Sequence, residues 1–152
     1  MNRAKRFVQK RKRKQMSETG SKGRFKRGFY KPLNEEKYKQ PFDNYMNKGE
    51  FPEYRSSWEL KLMKYLDNSN EVEYWTAEPF HIPYISPKDG KQHRYFPDFL
   101  VKFKDGRKVL IEVKPQSQWG DPINRAKWEQ AKKFCEEHLM EWRVMGEKEL
   151  GV

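Results

Sequence analysis

From residue 54 onward the apolar positions switch between two periods. Trp58, Leu62 and Leu66 recur every fourth residue and predict a helix ending near Asp67, closed by Asn68-Ser69-Asn70. Residues 71–75 and 80–85 read as extended chain, and Pro83 argues for an edge or a bend there. Residues 87–90, Pro-Lys-Asp-Gly, supply a turn into a strand that Asp98 opens. In that strand Phe99, Val101 and Phe103 share one face, with Asp98, Leu100 and Lys102 on the other. Lys104-Asp105-Gly106-Arg107 forms the tight turn, and Val109, Ile111 and Val113 then oppose Glu112 and Lys114. Pro115 stops this strand. Pro122 starts a second helix with Trp128, Ala131, Cys135 and Leu139 as its apolar stripe, residues 141–145 read as a last strand, and residues 147–150 as a terminal turn. A strand, a helix and a strand predict a right-handed crossover with the final strand parallel to its partner. The expected fold is α/β, an αβββαβ core whose mixed sheet is flanked by helices, without internal repeats.

Charge changes the picture at the amino terminus. Residues 1–31 carry thirteen Lys/Arg against one acid, Glu18, while the rest of the chain has twenty basic and twenty-one acidic residues. A nearly neutral domain, residues 54–152, is therefore expected to carry a basic arm, residues 1–31, through a linker at 32–53. The arm has too little apolar surface to offset its ordering entropy and is expected to be disordered when free. Lys10, Arg11, Lys12, Arg13, Lys14, Arg24, Lys26 and Arg27 are its candidate phosphate contacts, interleaved with Phe7, Phe25, Phe29 and Tyr30. An acidic protein partner is the competing reading. One cysteine excludes an intrachain disulfide and a cysteine zinc site, and no apolar run approaches a membrane span. These features point to a reducing cytoplasm, that of a bacterium or a phage-infected host, and to no membrane contact.

The candidate chemistry lies in the hairpin. Strand period aligns Glu112 with Lys114, about 6.6 Å apart along the strand, and pairing brings Asp98 toward Glu112. Two carboxylates and an ammonium at one end of a sheet suit a divalent cation acting on a phosphodiester. Taken alone, Asp98 is a strand-opening turn residue and Glu112–Lys114 a surface pair. The proline before the acid, the otherwise apolar strand and the spacing favour the metal reading. Glu59 carries two readings. Ser56-x-x-Glu59 is a capping box, and the first turn of the helix also lets Glu59 face the hairpin. Arg55 is placed to contact a phosphate or to pair with a surface acid, and Gln116, in the loop after the strand, to orient substrate or water.

Pro97-Asp98, thirteen residues, then Glu112-Val113-Lys114 resembles the PD-(D/E)xK nuclease motif, with Glu59 at the place of the further acid that many members carry on a preceding helix. Across residues 53–150 the pattern YRSSWE…PYIS…YFPDFL…IEVKP is similar to phage endonuclease I, to the N-terminal nuclease domain of the Tn7 transposase and, most of all, to the head-completion nucleases of T-even-type phages. The resemblance implies a restriction-endonuclease-like core and Mg²⁺-dependent hydrolysis of DNA to a 5′-phosphate, with Mn²⁺ substituting. Asp98, Glu112, Glu59 and the Val113 carbonyl would hold the metal, and Lys114 would orient water or stabilise the phosphorane. It further implies double-stranded or branched DNA as substrate, phage head or neck proteins as partners, the host cytoplasm or the virion as location, and leaves a homodimer open. The alternatives are a junction-resolving or transposon-end-cutting enzyme of the same fold, and a structural neck or DNA-binding protein with a vestigial site.

Overall fold

The computed structural model describes residues 27–42 and 50–152. Two short strands, β1 (Gly28–Phe29) and β2 (Glu53–Tyr54), pair antiparallel ahead of helix α1 (Ser57–Asn68). Strands β3 (Val72–Ala77), β6 (Phe99–Phe103), β7 (Lys108–Val113) and β8 (Glu141–Met145) form one sheet in the order β3-β6-β7-β8. The first two pairings are antiparallel, and β7 with β8 is parallel. Helix α2 (Pro122–Glu137) makes the β7-to-β8 crossover, and α3 (Glu147–Leu150) ends the chain. The αβββαβ core and its mixed sheet are as expected.

The alternation in β6 and β7 sorts their side chains onto two cores. Phe99, Val101, Val109, Ile111 and Val113 pack with Leu62, Met63 and Leu66 of α1. Leu100 and Leu110 face the other way, against Trp128, Ala131 and Cys135 of α2. Burial on both faces explains why these strands are apolar almost throughout. Gly106, at φ 100°, makes the tight turn between them.

Three expectations are corrected. Residues 80–85 do not lead directly into the Asp98 strand. Strand β4 (Ile82–Ile85) pairs with β5 (Gln92–Tyr95) as a separate hairpin inserted between β3 and β6. Its Ile82, Tyr84 and Tyr95 pack on α2, so Pro83 stays exposed in a two-stranded ribbon, where its missing N–H costs no sheet bond. Leu139 does not extend the α2 stripe, because the helix stops at Glu137. Leu139 then adopts φ 57° and is 91% exposed.

The third correction concerns the linker and the end of the arm. Gly28 and Phe29 are in β-structure, and residues 30–42 run over the domain in defined contact. Tyr38 forms a parallel bridge to Trp75, Lys39 N–H donates to the Trp75 carbonyl (2.9 Å) and Phe42 N–H to the Pro79 carbonyl (2.8 Å). These bonds satisfy the open edge of β3, which would otherwise present unpaired groups to other chains. Arm positions Lys10 to Lys14, Arg24 and Lys26 lie outside the described residues. Among the described residues no helix is long and apolar enough to cross a membrane.

Candidate active site

The β6–β7 register pairs Phe99 with Ile111. One step further along the two strands, Asp98 stands opposite Glu112. The two side chains lie near enough for the Asp98 carboxyl to feel the Glu112 charge. Each carboxylate is also fixed by the protein through one oxygen. The Val113 N–H donates to Asp98 Oδ2 at 2.7 Å, whereas Glu112 Oε2 accepts from the Tyr95 hydroxyl at 2.9 Å and from Trp128 Nε1 at 3.1 Å. Glu112 is only 5% exposed and Asp98 is partly buried. Burial, then the charges of Glu112 and Glu59, push the Asp98 carboxyl far above the usual carboxylate range.

Glu59 enters from the first turn of α1. Ser56 caps that helix, its Oγ accepting from the Glu59 N–H at 3.1 Å, while the Glu59 carboxylate accepts from the Arg55 N–H at 3.3 Å. Only half of the expected capping box is present, since the reciprocal bond goes to the residue before the cap. Burial, assisted by Glu78 and Glu112 and opposed by Arg55, raises the Glu59 pKa to about 7. Glu59 thus feels both hairpin acids. Among the described residues, however, no three Asp, Glu, His or Cys side chains gather tightly enough to hold a metal ion by themselves.

A cleft of about 580 Å³ opens beside this group, walled by Arg55, Trp58, Glu59, Val113, Lys114, Gln118 and Glu147 among others. Lys114 lies one residue past β7, yet its N–H still donates to the Met145 carbonyl (3.0 Å) and its carbonyl accepts from Trp119 Nε1 (2.9 Å). Gly146 packs against the same point. A Cβ there would sit 3.0 Å from the Trp119 ring and 3.3 Å from the Lys114 carbonyl, so glycine lets the chain close behind the lysine.

The sequence-based set is therefore brought together in part. Asp98, Glu112, Val113, Glu59 and Lys114 converge. Arg55 also lines the cleft, but its guanidinium is paired with Glu78 (3.0 Å) and Glu53 (3.3 Å), the surface-acid alternative. Gln116 is exposed and off the cleft wall, where Ser117 and Gln118 stand instead. Its backbone N–H is bonded to Glu147 Oε1 (2.9 Å). Arg27 bonds Glu53 at 3.6 Å. Tyr95 is buried against Glu112 because the inserted hairpin turns it inward.

Sequence reasoning missed Trp128 and Glu78. Trp128 read as helix-stripe core, and only its indole N–H hinted that a buried acceptor would be needed. Glu78 follows β3 at φ 47° and donates its N–H to the Asp98 carbonyl (2.8 Å), a conformation unusual for a glutamate and not announced by any turn residue.

The donor set fits a hard divalent ion. Asp98 and Glu112 each keep an oxygen to which no N–H among the described residues donates, and Mg²⁺ is commonly bound through one or two carboxylates with waters retained. Two buried, opposed carboxylates without a cation repel each other, so bringing them together makes sense only if a cation or a proton joins them. Comparison with known proteins agrees with this geometry. The chain is 35% identical over 97 residues to the head completion nuclease of Enterobacteria phage T4, an alignment spanning 62% of this chain and 64% of that protein. Residues 69–147, which contain Asp98, Glu112 and Lys114, match the family described as TnsA-like endonuclease N terminal. The chain belongs to the TnsA-like endonuclease N-terminal family.

Proposed function

We propose that this protein is a Mg²⁺-dependent DNA endonuclease that acts during completion of phage heads. The observation that carries the reading is the opposed Asp98–Glu112 pair beside the Lys114 cleft, within a domain of an endonuclease family. A bound Mg²⁺ would polarise the phosphate and lower the pKa of a coordinated water. Asp98 and Glu112 would hold it, with the Val113 carbonyl and Glu59 as further oxygen donors, and Mn²⁺ would substitute. Lys114, on the cleft wall, orients the attacking water or neutralises charge on the phosphorane. Water adds to phosphorus in line with the leaving 3′-oxygen, giving a 5′-phosphate and a 3′-hydroxyl. The phage role rests on the relative from T4, and head or neck proteins are then the natural partners in the host cytoplasm or the virion. The family match keeps DNA ends of the kind a TnsA-like endonuclease cuts as a second substrate reading.

The test is incubation with supercoiled plasmid, linear duplex and a four-way junction, in Mg²⁺, Mn²⁺ or EDTA. Cleavage that needs either metal is expected, and cleavage undiminished in EDTA would overturn the metal reading. Preference for the junction would move the biological role away from head completion. The basic arm supplies sequence-independent affinity. Deleting residues 1–26 should weaken duplex binding and flatten its salt dependence, at roughly 0.9 log units per lost phosphate contact. Unchanged affinity and salt slope would assign the arm to an acidic protein.

A further inference from the structure

Glu112 is held differently from its neighbour. Both of its protein donors, the Tyr95 hydroxyl and the Trp128 indole N–H, converge on the same oxygen, Oε2, at 2.9 and 3.1 Å. Apart from the Asp98 carboxyl across the pairing, no donor among the described residues bonds Oε1. The donors come from two elements on one side of the sheet. Tyr95 ends β5 of the inserted hairpin, and Trp128 lies midway along α2. Both side chains are buried, at 3% and 8% exposure, so neither bond is shared freely with water. The Tyr95 ring is itself held, edge-on to Trp142 with centroids 6.3 Å apart and with the Lys127 ammonium 5.8 Å from its centre.

Resting on the metal reading of the site, we infer that Tyr95 and Trp128 are positioning residues that reserve Glu112 Oε2 for the protein and leave Oε1 as the single oxygen offered to the cation. A carboxylate with two donors on one oxygen cannot chelate through both without losing hydrogen bonds to a charged acceptor, which are among the stronger ones. It is also barred from swinging away from Asp98. The inserted hairpin thereby acquires a task. It is not part of the four-stranded sheet, yet it carries one of the two groups that aim the ligand.

The experiment uses the full chain and reads Mn²⁺ binding without DNA, by calorimetry or by loss of the free-ion EPR signal, beside thermal melting in EDTA. Tyr95→Phe keeps the ring and removes one donor. It is expected to weaken Mn²⁺ binding by about tenfold to a hundredfold, the scale of lost outer contacts to metal ligands, and to raise the Mg²⁺ concentration for half-maximal cleavage by a similar factor. The rate at saturating Mg²⁺ should change less. Trp128→Phe should act in the same direction, and its melting curve separates lost packing from lost aim. Asp98→Ala is the control. If it loses Mn²⁺ while a folded Tyr95→Phe and a folded Trp128→Phe bind like the parent, the positioning inference fails and the metal site stands. If Asp98→Ala binds Mn²⁺ like the parent, the metal site itself fails and the inference with it.

Discussion

Helix α1 has a buried or partly buried carboxylate cluster at each end, and the two are built on opposite principles. At its carboxyl end Asp67 is fully buried and saturated with donors. The Tyr30 hydroxyl and the Leu33 N–H (2.7 Å) bond Oδ2, and the Asn34 N–H (3.0 Å) bonds Oδ1. Its own carbonyl accepts from Asn34 Nδ2 and Lys37 Nζ, both at 2.8 Å. Burial alone would raise the Asp67 carboxyl, but these donors prevail and hold it below its ordinary value. At the amino end Glu59, Asp98 and Glu112 have fewer donors and one another's charge, and burial pushes Asp98 and Glu59 upward. A carboxylate supplied with hydrogen bonds is a structural joint. Here it docks residues 30–37 onto the domain. A carboxylate group with few donors and like charge beside it needs a proton or a cation to offset the repulsion.

Substitution should divide the two ends cleanly. Asp98→Ala, Glu112→Ala and Lys114→Ala are each expected to lower cleavage by on the order of a hundredfold or more, the scale of removing a main electrostatic element. In EDTA, Asp98→Ala leaves one backbone donor, the Val113 N–H, without its acceptor, so it should melt closer to the parent than Asp67→Ala does. Asp67→Ala should do the reverse. It leaves the Tyr30 hydroxyl and two backbone N–H groups without their acceptor, at about 1–3 kcal/mol for each buried group left unsatisfied, while the folded fraction still cuts. Plasmid nicking and thermal melting on the same preparations decide the matter. An Asp98→Ala protein that cuts normally, or an Asp67→Ala protein that melts normally, would break the division.

The difference in how far each end could be read from sequence has the same physical origin. Strand alternation, an Asp-Gly turn and a proline before an acid are local signals, so Asp98, Glu112 and Lys114 were legible, as was the α/β core. Donor supply is non-local. Asp67 meets Tyr30, Leu33 and Asn34 across more than thirty residues of chain, and nothing in PLNEEKYKQPF marks it as a docked strap. The inserted hairpin was hidden for a related reason. Residues 80–95 carry ordinary strand and turn signals, and sheet membership depends on what α2 offers them to pack against. Trp128 reads as bulk core, and Tyr95 as a plain strand residue, until their polar ends are seen to meet at Glu112.

Protonation should expose the comparison as opposite slopes of stability against pH. Glu59 titrates at about 7 in the folded protein, above roughly 4.3 for an unperturbed glutamate. Its protonated form therefore favours folding fully below the unfolded value, and that contribution is lost as pH rises through about 7. Asp98, also raised, acts with the same sign. Asp67 is depressed, so its contribution is present above roughly 3.9 and disappears as pH falls through the folded value. In EDTA the protein should lose on the order of 2 kcal/mol between pH 5 and pH 8, and Mg²⁺ should restore it. Denaturant melts at several pH values measure this. Glu59→Gln should flatten the alkaline limb and Asp67→Asn the acid limb. An alkaline limb that persists unchanged in Glu59→Gln would place its origin elsewhere.

The smallest expected change in stability bears on the residue that shares both characters. Glu59 belongs to the starved cluster by charge, yet its backbone N–H is the one that Ser56 caps. Ser56→Ala should cost about 1 kcal/mol, the ordinary value of an N-cap, and leave the folded enzyme cutting at the parental Mg²⁺ requirement. Glu59→Gln retains the backbone N–H that Ser56 accepts and an oxygen able to take the Arg55 N–H, so its fold should hold within about 1 kcal/mol. What glutamine cannot supply is negative charge toward a cation shared with Asp98 and Glu112. Cleavage should therefore collapse or demand much more Mg²⁺. Melting and nicking across a Mg²⁺ titration, run on both variants, distinguish the roles. If Glu59→Gln cuts like the parent at every Mg²⁺ concentration, Glu59 belongs with Asp67 among the structural acids, and the chemistry rests on Asp98, Glu112 and Lys114.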